Sequence, residues 1–433
     1  MGRWGLIGEL GKGMTEPVDA YKKRQAFPRM MRAVRKQRER EEPAMSVTNY
    51  AFDLPTRVLF GPGSLGKLRS EKLPGNKALV CISAGGSMRR HGQLDALLVE
   101  LDAAGVTYAV YEGVTANPTM QDVDAGARMA EAEGCDFVIG MGGGSTMDAA
   151  KVIALVAANG GSCWDYCGSE TGGKQKPAKD ALPIVAITTS AGTGSEVDPW
   201  AVISREDTGE KNGMGWPSTF PVLAIVDADL MMSVPPKFTA WQGMDAFYHA
   251  AESVICKSEH ALGEMFALKA IELIAKALPR AVADGSDREA RADMALASTL
   301  AGVYMLCTSE HRMEHSMGGL FPKLPHGAGL IMVSHAYFDF FAEREACEAE
   351  MVKMAKAMGV ADATSGKDFI AALDALIEAV GCKDLAMSEW GITRDDLPRF
   401  VDNYHRVRGG DINGDPIHLT DDDLLDMYEA SFK

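Results

Sequence analysis

Apolar residues change their rhythm once along this chain. From about residue 50 to 230 they come in short unbroken runs: Ala78–Ile82, Tyr108–Tyr111, Phe137–Met141, Ile184–Thr188 and Val222–Val226. Such runs read as strands buried on both faces. Between them, Leu94–Ala104 and Val123–Glu133 space their apolar residues as helices do. Strand alternating with helix predicts a parallel α/β sheet. The run "RVLFGPGSLGKL" (57–68) reads as a strand, a turn and a helix start. After about 231 the short runs give way to long helical patterns at Ala240–Ile255, Ala261–Ala277, Glu289–Cys307, Ala328–Phe341, Glu345–Met358 and Lys367–Ala379. The chain is therefore expected to hold an α/β domain at 46–230 and an all-helical domain at 231–433.

Residues 1–45 follow neither rhythm. They carry 11 Lys/Arg against 6 Asp/Glu, a net +5 that leaves −21 on the rest of a chain whose total is −16. Tyr21–Glu42 reads as a charged helix interrupted by Pro28. There is no apolar core of a secretory signal, and the acidic residues argue against a transit peptide. The expectation is a basic extension, disordered or preceding a natural start at Met45.

Charge and composition narrow the partners. A net charge of −16 disfavours nucleic acid and anionic membranes as main partners. It does not exclude an anionic cofactor, because local amides and helix ends bind phosphate whatever the global charge. No apolar run nears the ~20 residues that cross a bilayer. Eight cysteines with no CxxC pair fit reduced thiols and a cytoplasmic setting. Cys163 and Cys167 are the one close pair, without evident partners for zinc.

Two glycine-rich turns carry the first chemistry. In "DFVIGMGGGSTMDAAK" (136–151) an apolar run ends in Gly142, Gly143 and Gly144. Glycine leaves the backbone open to close approach, and a helix start beyond it suits a pyrophosphate. Ser145 is expected to cap that helix, with Asp148 in its first turn. The pattern is not GxGxxG. In "LPIVAITTSAGTGSEVDPWAVIS" (182–204) another strand ends in Thr188, Thr189 and Ser190, then Gly192, Thr193, Gly194 and Ser195. Small polar residues past a strand's carboxyl end lie where open α/β sheets bind ligands.

The second chemistry is metal-like. "GMDAFYHAAE" (243–252) sets Asp245 and His249 four apart, on one helix face. His311 and His315 repeat the spacing, and His326 follows a loop with Pro322 and Pro325. One carboxylate with imidazoles suits a divalent iron or zinc ion. A tetrahedral site would take Asp245, His249, His326 and either His311 or His315; spacing leaves that choice open. His91, His260, His335, His405 and His418 read as packing or surface residues.

GGGSTMDAAK (142–151), TTSAGTGSE (188–196), GMDAFYHAAE (243–252) and HRMEHSMGGLFPKLPHG (311–327), in that order, make the chain from Asn49 to Phe432 resemble an iron-containing (group III) alcohol dehydrogenase of the butanol-dehydrogenase-like branch. The resemblance implies a dinucleotide-binding α/β domain, an all-helical metal domain, and hydride transfer between an alcohol and an aldehyde or ketone. It implies metal ligands at Asp245, His249, His311 and His326, for Fe2+ with Zn2+ as the other possibility. It leaves His315 as a proton relay. Pyrophosphate contacts would fall on Gly143, Gly144 and Ser145 beside Asp148. Other NAD(P) contacts would fall on Thr188, Thr189, Ser195, Val197, Asn117 and, less securely, Lys211. A homo-oligomer is expected.

Two features depart from the family pattern. His326 lies eleven positions after His315, one more than usual. After the run 78–82 the chain reads Ser83-Ala84-Gly85-Gly86-Ser87, with Arg89 and Arg90, where NAD-preferring relatives often carry an Asp. The absence of that acid at Gly86 and Ser87 favours NADP over NAD. The same architecture resembles dehydroquinate synthase, a lyase, but only Arg312 and Lys323 in the metal segment could hold its phosphorylated acid. A non-catalytic nucleotide- or metal-binding protein is the other alternative. Phe247, Trp200, Met313 and Phe321 are candidates for an apolar substrate pocket.

Overall fold

Strands β4 (Phe137–Gly142) and β5 (Ile184–Thr188) are buried along their whole length, as continuous apolar strands require. They occupy the middle of a six-stranded sheet ordered β1-β8-β5-β4-β2-β3. Its other strands are β1 (Arg57–Phe60), β2 (Lys77–Ser83), β3 (Thr107–Val114) and β8 (Leu223–Val226), and every pairing is parallel. This computed structural model describes residues 50–410 and 413–433. The helix expected within 21–42 lies outside them.

Successive side chains of the strands face opposite ways. Leu79, Cys81 and Val138 enter one core, shared with helices α2 (Met120–Glu133) and α3 (Gly144–Asn159). Ala78, Val80, Ile82, Phe137, Ile139 and Met141 enter another, closed by Leu94, Leu97 and Leu101 of α1 (Gln93–Ala103). Helix α2 starts on a capping box between Thr119 and Asp122 and stops at Gly134, which takes φ 63°.

Beyond β8 come α4 (Pro236–Ile255), α5 (Ala261–Ala283), α6 (Arg288–Val303), α7 (Ser309–Leu320), α8 (His326–Glu343), α9 (Glu348–Ala357), α10 (Gly366–Ala379), α11 (Leu397–Tyr404) and α12 (Asp421–Ser431). They share one apolar core running from Ala240 to Tyr428. Ala51–Lys433 make up one compact unit.

Several boundaries differ from the sequence reading. Helix α6 stops at Val303, not Cys307, because the next residues leave to pair with α4: the Leu306 amide donates to Ser253 Oγ at 2.9 Å and the Thr308 amide to Glu252 Oε1 at 2.8 Å. Helix α9 starts at Glu348 rather than Glu345, which holds a left-handed turn at φ 49°. An antiparallel pair, β6 (Trp200–Arg205) with β7 (Glu210–Gly215), was not foreseen. "EKNGMG" has no strand alternation. Outside bonds hold the pair instead: the Ser204 amide donates to Pro118 O at 2.8 Å and the Gly213 amide to Arg408 O at 2.7 Å.

Candidate metal and nucleotide site

Gly142 at the end of β4 lies beside Thr188 at the end of β5. The two loops therefore leave the sheet together, and the Thr189 amide donates to Gly142 O at 2.9 Å. The glycines permit this closeness. A Cβ on Gly144 would stand 2.4 Å from Thr193 Cγ2, and one on Gly143 would stand 3.2 Å from Ser190 Oγ. The expected cap is corrected: Gly143, not Ser145, is the N-cap of α3, and no side chain caps it. Asp148 is accordingly in the second turn, beyond the strongest reach of the helix dipole.

Asp148 is engaged inside the protein. Its Oδ1 accepts from Ser195 Oγ at 2.6 Å and its Oδ2 from the Val202 amide at 2.9 Å. The wholly buried Lys151 donates to Ser195 Oγ at 2.7 Å, Asp198 Oδ1 at 2.9 Å and Trp200 O at 2.7 Å. Asp148, Ser195, Lys151 and Asp198 thus form one clamp that fastens α3 to the second loop. Thr188 Oγ1 donates to Ser190 O at 2.8 Å, and Val197 is buried.

The loop after β2 turns at Gly86, with φ 67°, into the one-turn helix Ser87–Arg90. Ser87 Oγ lies 3.4 Å from Ser83 Oγ. Arg89 forks onto the Glu112 carboxylate, and Arg90 donates to Gly85 O at 2.6 Å. The positive charge counted on for a 2′-phosphate is thus partly matched by Glu112. Asn117 takes φ 54° and its Nδ2 donates to Pro322 O at 3.2 Å, in the loop between α7 and α8.

Helix α4 carries Asp245 and His249, α7 carries His311 and His315, and His326 opens α8 after Pro325. Asp245 Oδ1 lies 3.5 Å from His311 Nε2, 3.5 Å from His326 Nε2 and 3.8 Å from His249 Nε2. Asp245, His249 and His311 are buried. Asp245 Oδ1 and His311 Nε2 have no hydrogen-bond partner among the described residues. Orphaned polar atoms in a dry interior are costly unless something pairs them. Four N/O donors around one small cation at ~2.0–2.2 Å would stand about 3.4 Å apart, so this set fits iron(II) or zinc.

Electrostatics agree at Asp245 and His249, whereas at His311 burial is outweighed by Cys307, Glu252 and Asp245, which hold it above the usual histidine range. Burial pushes the Asp245 carboxyl up, but His249, His326 and His311 outweigh it and hold the group well below the usual carboxylate range. Burial pushes His249 down to about 4 against the pull of Asp245, leaving the neutral imidazole that a metal requires.

His315 stands apart. The structure brings His311, not His315, to Asp245. His315 is buried, its ring 5.5 Å from that of His326, and its Nδ1 donates to Arg408 O at 3.2 Å. Burial, then the Lys211 charge, holds it well below the usual histidine range.

Sequence reading missed the carboxylates behind the imidazoles. Glu252 binds His311 Nδ1 and accepts from Thr308 Oγ1 at 2.8 Å. Glu314 binds His326 Nδ1 and accepts from Lys211 Nζ at 2.8 Å. A signal existed: Glu252 is seven residues from Asp245 and Glu314 three from His311, each on the ligand's helix face. Lys211, expected on the dinucleotide side, is bound instead within this metal-side cluster.

Two expected pocket residues are corrected. Phe247 is fully buried and stacks on Phe369 at 6.3 Å, and Met313 is fully buried in the helical core. Each lies two residues past a candidate ligand, about 200° around the helix and so on the far face. Trp200 is half exposed on β6, and Phe321 packs edge-on against Phe400 at 5.8 Å. Cys163 and Cys167 are not joined by a disulfide.

Comparison with known proteins agrees with this architecture. The family description "Iron-containing alcohol dehydrogenase" matches residues 55–228, and that of the family's C-terminal domain matches 239–432. Alcohol dehydrogenase 4 of Schizosaccharomyces pombe is 32% identical over 388 residues, 88% of this chain and 89% of that protein. The crystal structure of an archaeal halo-thermophilic alcohol dehydrogenase from a Red Sea brine pool superposes with a TM-score of 0.84 at 32% identity, covering 89% of this chain and 99% of the other. That of an NADH-dependent butanol dehydrogenase from Thermotoga maritima gives 0.80 at 27% identity, covering 89% and 99%. The chain belongs to the iron-containing alcohol dehydrogenase family.

Proposed function

We propose that this protein interconverts a small alcohol and its aldehyde with NAD(H), using one divalent iron held by Asp245, His249, His311 and His326. The family membership makes it an oxidoreductase of alcohols and carbonyl compounds, rather than the lyase or binding module considered above. One observation carries the site: a buried carboxylate oxygen with two imidazole nitrogens at 3.5 Å and no hydrogen-bond partner among the described residues. A cation there supplies Lewis acidity to the substrate oxygen, and the dinucleotide carries the hydride.

The protein's own groups do the rest. Asp245 offsets cationic charge among three imidazoles. Its surroundings exclude water, which strengthens each electrostatic contact. The Arg408 carbonyl can only accept, so neutral His315 carries its hydrogen on Nδ1. Nε2 is then the atom free to hold or pass the substrate's proton. The first turn ends at the start of α3, whose opening backbone amides suit a pyrophosphate. Arg89, matched by Glu112, supports NAD over the NADP expected from sequence. A cytoplasmic homo-oligomer is part of this reading; β1 is a sheet edge with Phe60 exposed on it.

The test is a screen of short aldehydes with NADH and NADPH on metal-analysed protein, followed at 340 nm. Turnover that depends on iron or zinc and prefers NADH is expected. No turnover with either dinucleotide and either metal would overturn the proposal.

A further inference from the structure

Glu314 has a fully buried side chain, and nothing in the chemistry above uses it. Its Oε2 faces two donors: Lys211 Nζ at 2.8 Å and His326 Nδ1 at short range. Lys211 Nζ also lies 3.2 Å from His326 Nδ1. A carboxylate only accepts and an ammonium only donates, so the proton shared with Glu314 sits on His326 Nδ1. The lone pair of that imidazole is then on Nε2, the atom turned toward Asp245. Lys211 comes from β7, Glu314 from α7 and His326 from α8, so the cluster ties three elements together. Space is kept for it: a Cβ on Gly329 would meet Glu314 Cγ at 2.8 Å, and one on Gly318 would meet Glu314 Oε1 at 2.9 Å.

We propose that Glu314, locked by Lys211, is the positioning residue for His326: it fixes the tautomer and ring orientation in which Nε2 can bind the metal. This rests on His326 being a ligand, as proposed above. Partners behind a metal-bound imidazole raise its basicity and hold its aim, and losing one costs about 10–100-fold in metal affinity. Lys211 offsets the buried charge of Glu314, which alone would be costly. Glu314, His315 and His326 could by themselves gather round a second cation. The Lys211 ammonium already stands against that face and opposes a second ion there.

The experiment titrates metal-free full-length protein with Zn2+ and Co2+, recording affinity, stoichiometry and the visible spectrum of the cobalt form. The parent should bind one ion, and His326→Ala should lose it. Glu314→Ala should bind about 10–100-fold more weakly at unchanged circular dichroism. Glu314→Gln keeps the shape without the charge; it should lose less affinity and shift the cobalt bands, and it decides the matter if the alanine variant does not fold. Lys211→Met with Glu314→Ala should be no weaker than Glu314→Ala alone, because both act through one contact. Parental affinity and spectrum in both Glu314 variants, with His326→Ala still losing metal, would overturn the proposal and leave the metal site standing. Parental binding by His326→Ala would remove the metal site and this proposal with it. Two ions in Lys211→Met would make Glu314 a ligand, not a positioning residue.

Discussion

At the residue scale, the three histidines of the 311–326 segment are told apart by what each ring touches. His311 and His326 turn Nε2 toward Asp245 and Nδ1 toward a glutamate. His315 turns Nδ1 to a backbone carbonyl. His311→Ala and His326→Ala should each lose bound metal by elemental analysis. His315→Ala should keep it while kcat falls by about 10²–10⁴-fold, the usual worth of a positioned proton-transfer group. Equal metal loss in all three would sink the assignment. Gly144 offers a second test. Its Cβ would press on Thr193, so Gly144→Ala should cost about 1–3 kcal/mol in denaturant unfolding and weaken dinucleotide binding measured by fluorescence.

At the scale of elements, the clamp around Lys151 joins α3 to the second loop. Lys151→Met would strand Asp198 and Asp148 in the interior. A loss of about 3–5 kcal/mol in unfolding free energy is expected, as when one partner of a buried ion pair is removed. Asp415 pins the segment before α12 to α7 and α8: it accepts from Tyr337 Oη at 2.7 Å and from the Ser309 amide at 3.2 Å. Burial pushes its carboxyl up to about 6, so the folded chain binds that proton more tightly than the unfolded chain. Its contribution is therefore fully present below the ordinary Asp range and declines as pH rises to about 6. Across pH 4 to 6.5, the stability of Asp415→Asn should gain on the parent, by up to about 3 kcal/mol. A constant gap between the two denaturation series would refute this.

Elements also show how far the sequence could be read. Strands β2, β4 and β5 were legible because both faces are buried and their central residues are apolar or glycine. Helix α7 was not singled out as an element, since "SEHRMEHS" is polar apart from Met313. Yet Glu310, His311, Glu314 and His315 are all buried there. Their burial is paid for by one another and by the proposed metal, which no local pattern displays. Hairpin β6–β7 was equally hidden, because its partners, Pro118 and Arg408, lie far off in sequence.

At the scale of the whole molecule, the proposed metal site would join α4, α7 and α8 into one body. Ligand binding to the folded state alone stabilises it, by about 2.7 kcal/mol at a hundredfold excess over Kd. Removing metal with a chelator should lower Tm by several degrees in a thermal scan, and adding Zn2+ or Fe2+ should restore it. In Asp245→Asn the shift should vanish. A chelator-sensitive Tm in that variant would place the stabilising ion elsewhere.

By itself, the sequence determined the order of most strands and helices, the glycine turns and the five residues around which a metal could gather. These are local properties: apolar period, backbone freedom and spacing on a helix face. Spacing left open whether His311 or His315 meets Asp245; the family resemblance pointed to His311, and the fold brings it there. Only the tertiary structure decided that Lys211 bonds Glu314 and that Asp148 and Ser195 are held inside a clamp. Those choices depend on which side chains a fold brings within about 3 Å in a dry interior, where an unpaired polar atom is costly. They join residues up to 115 positions apart, beyond the reach of any period along the chain.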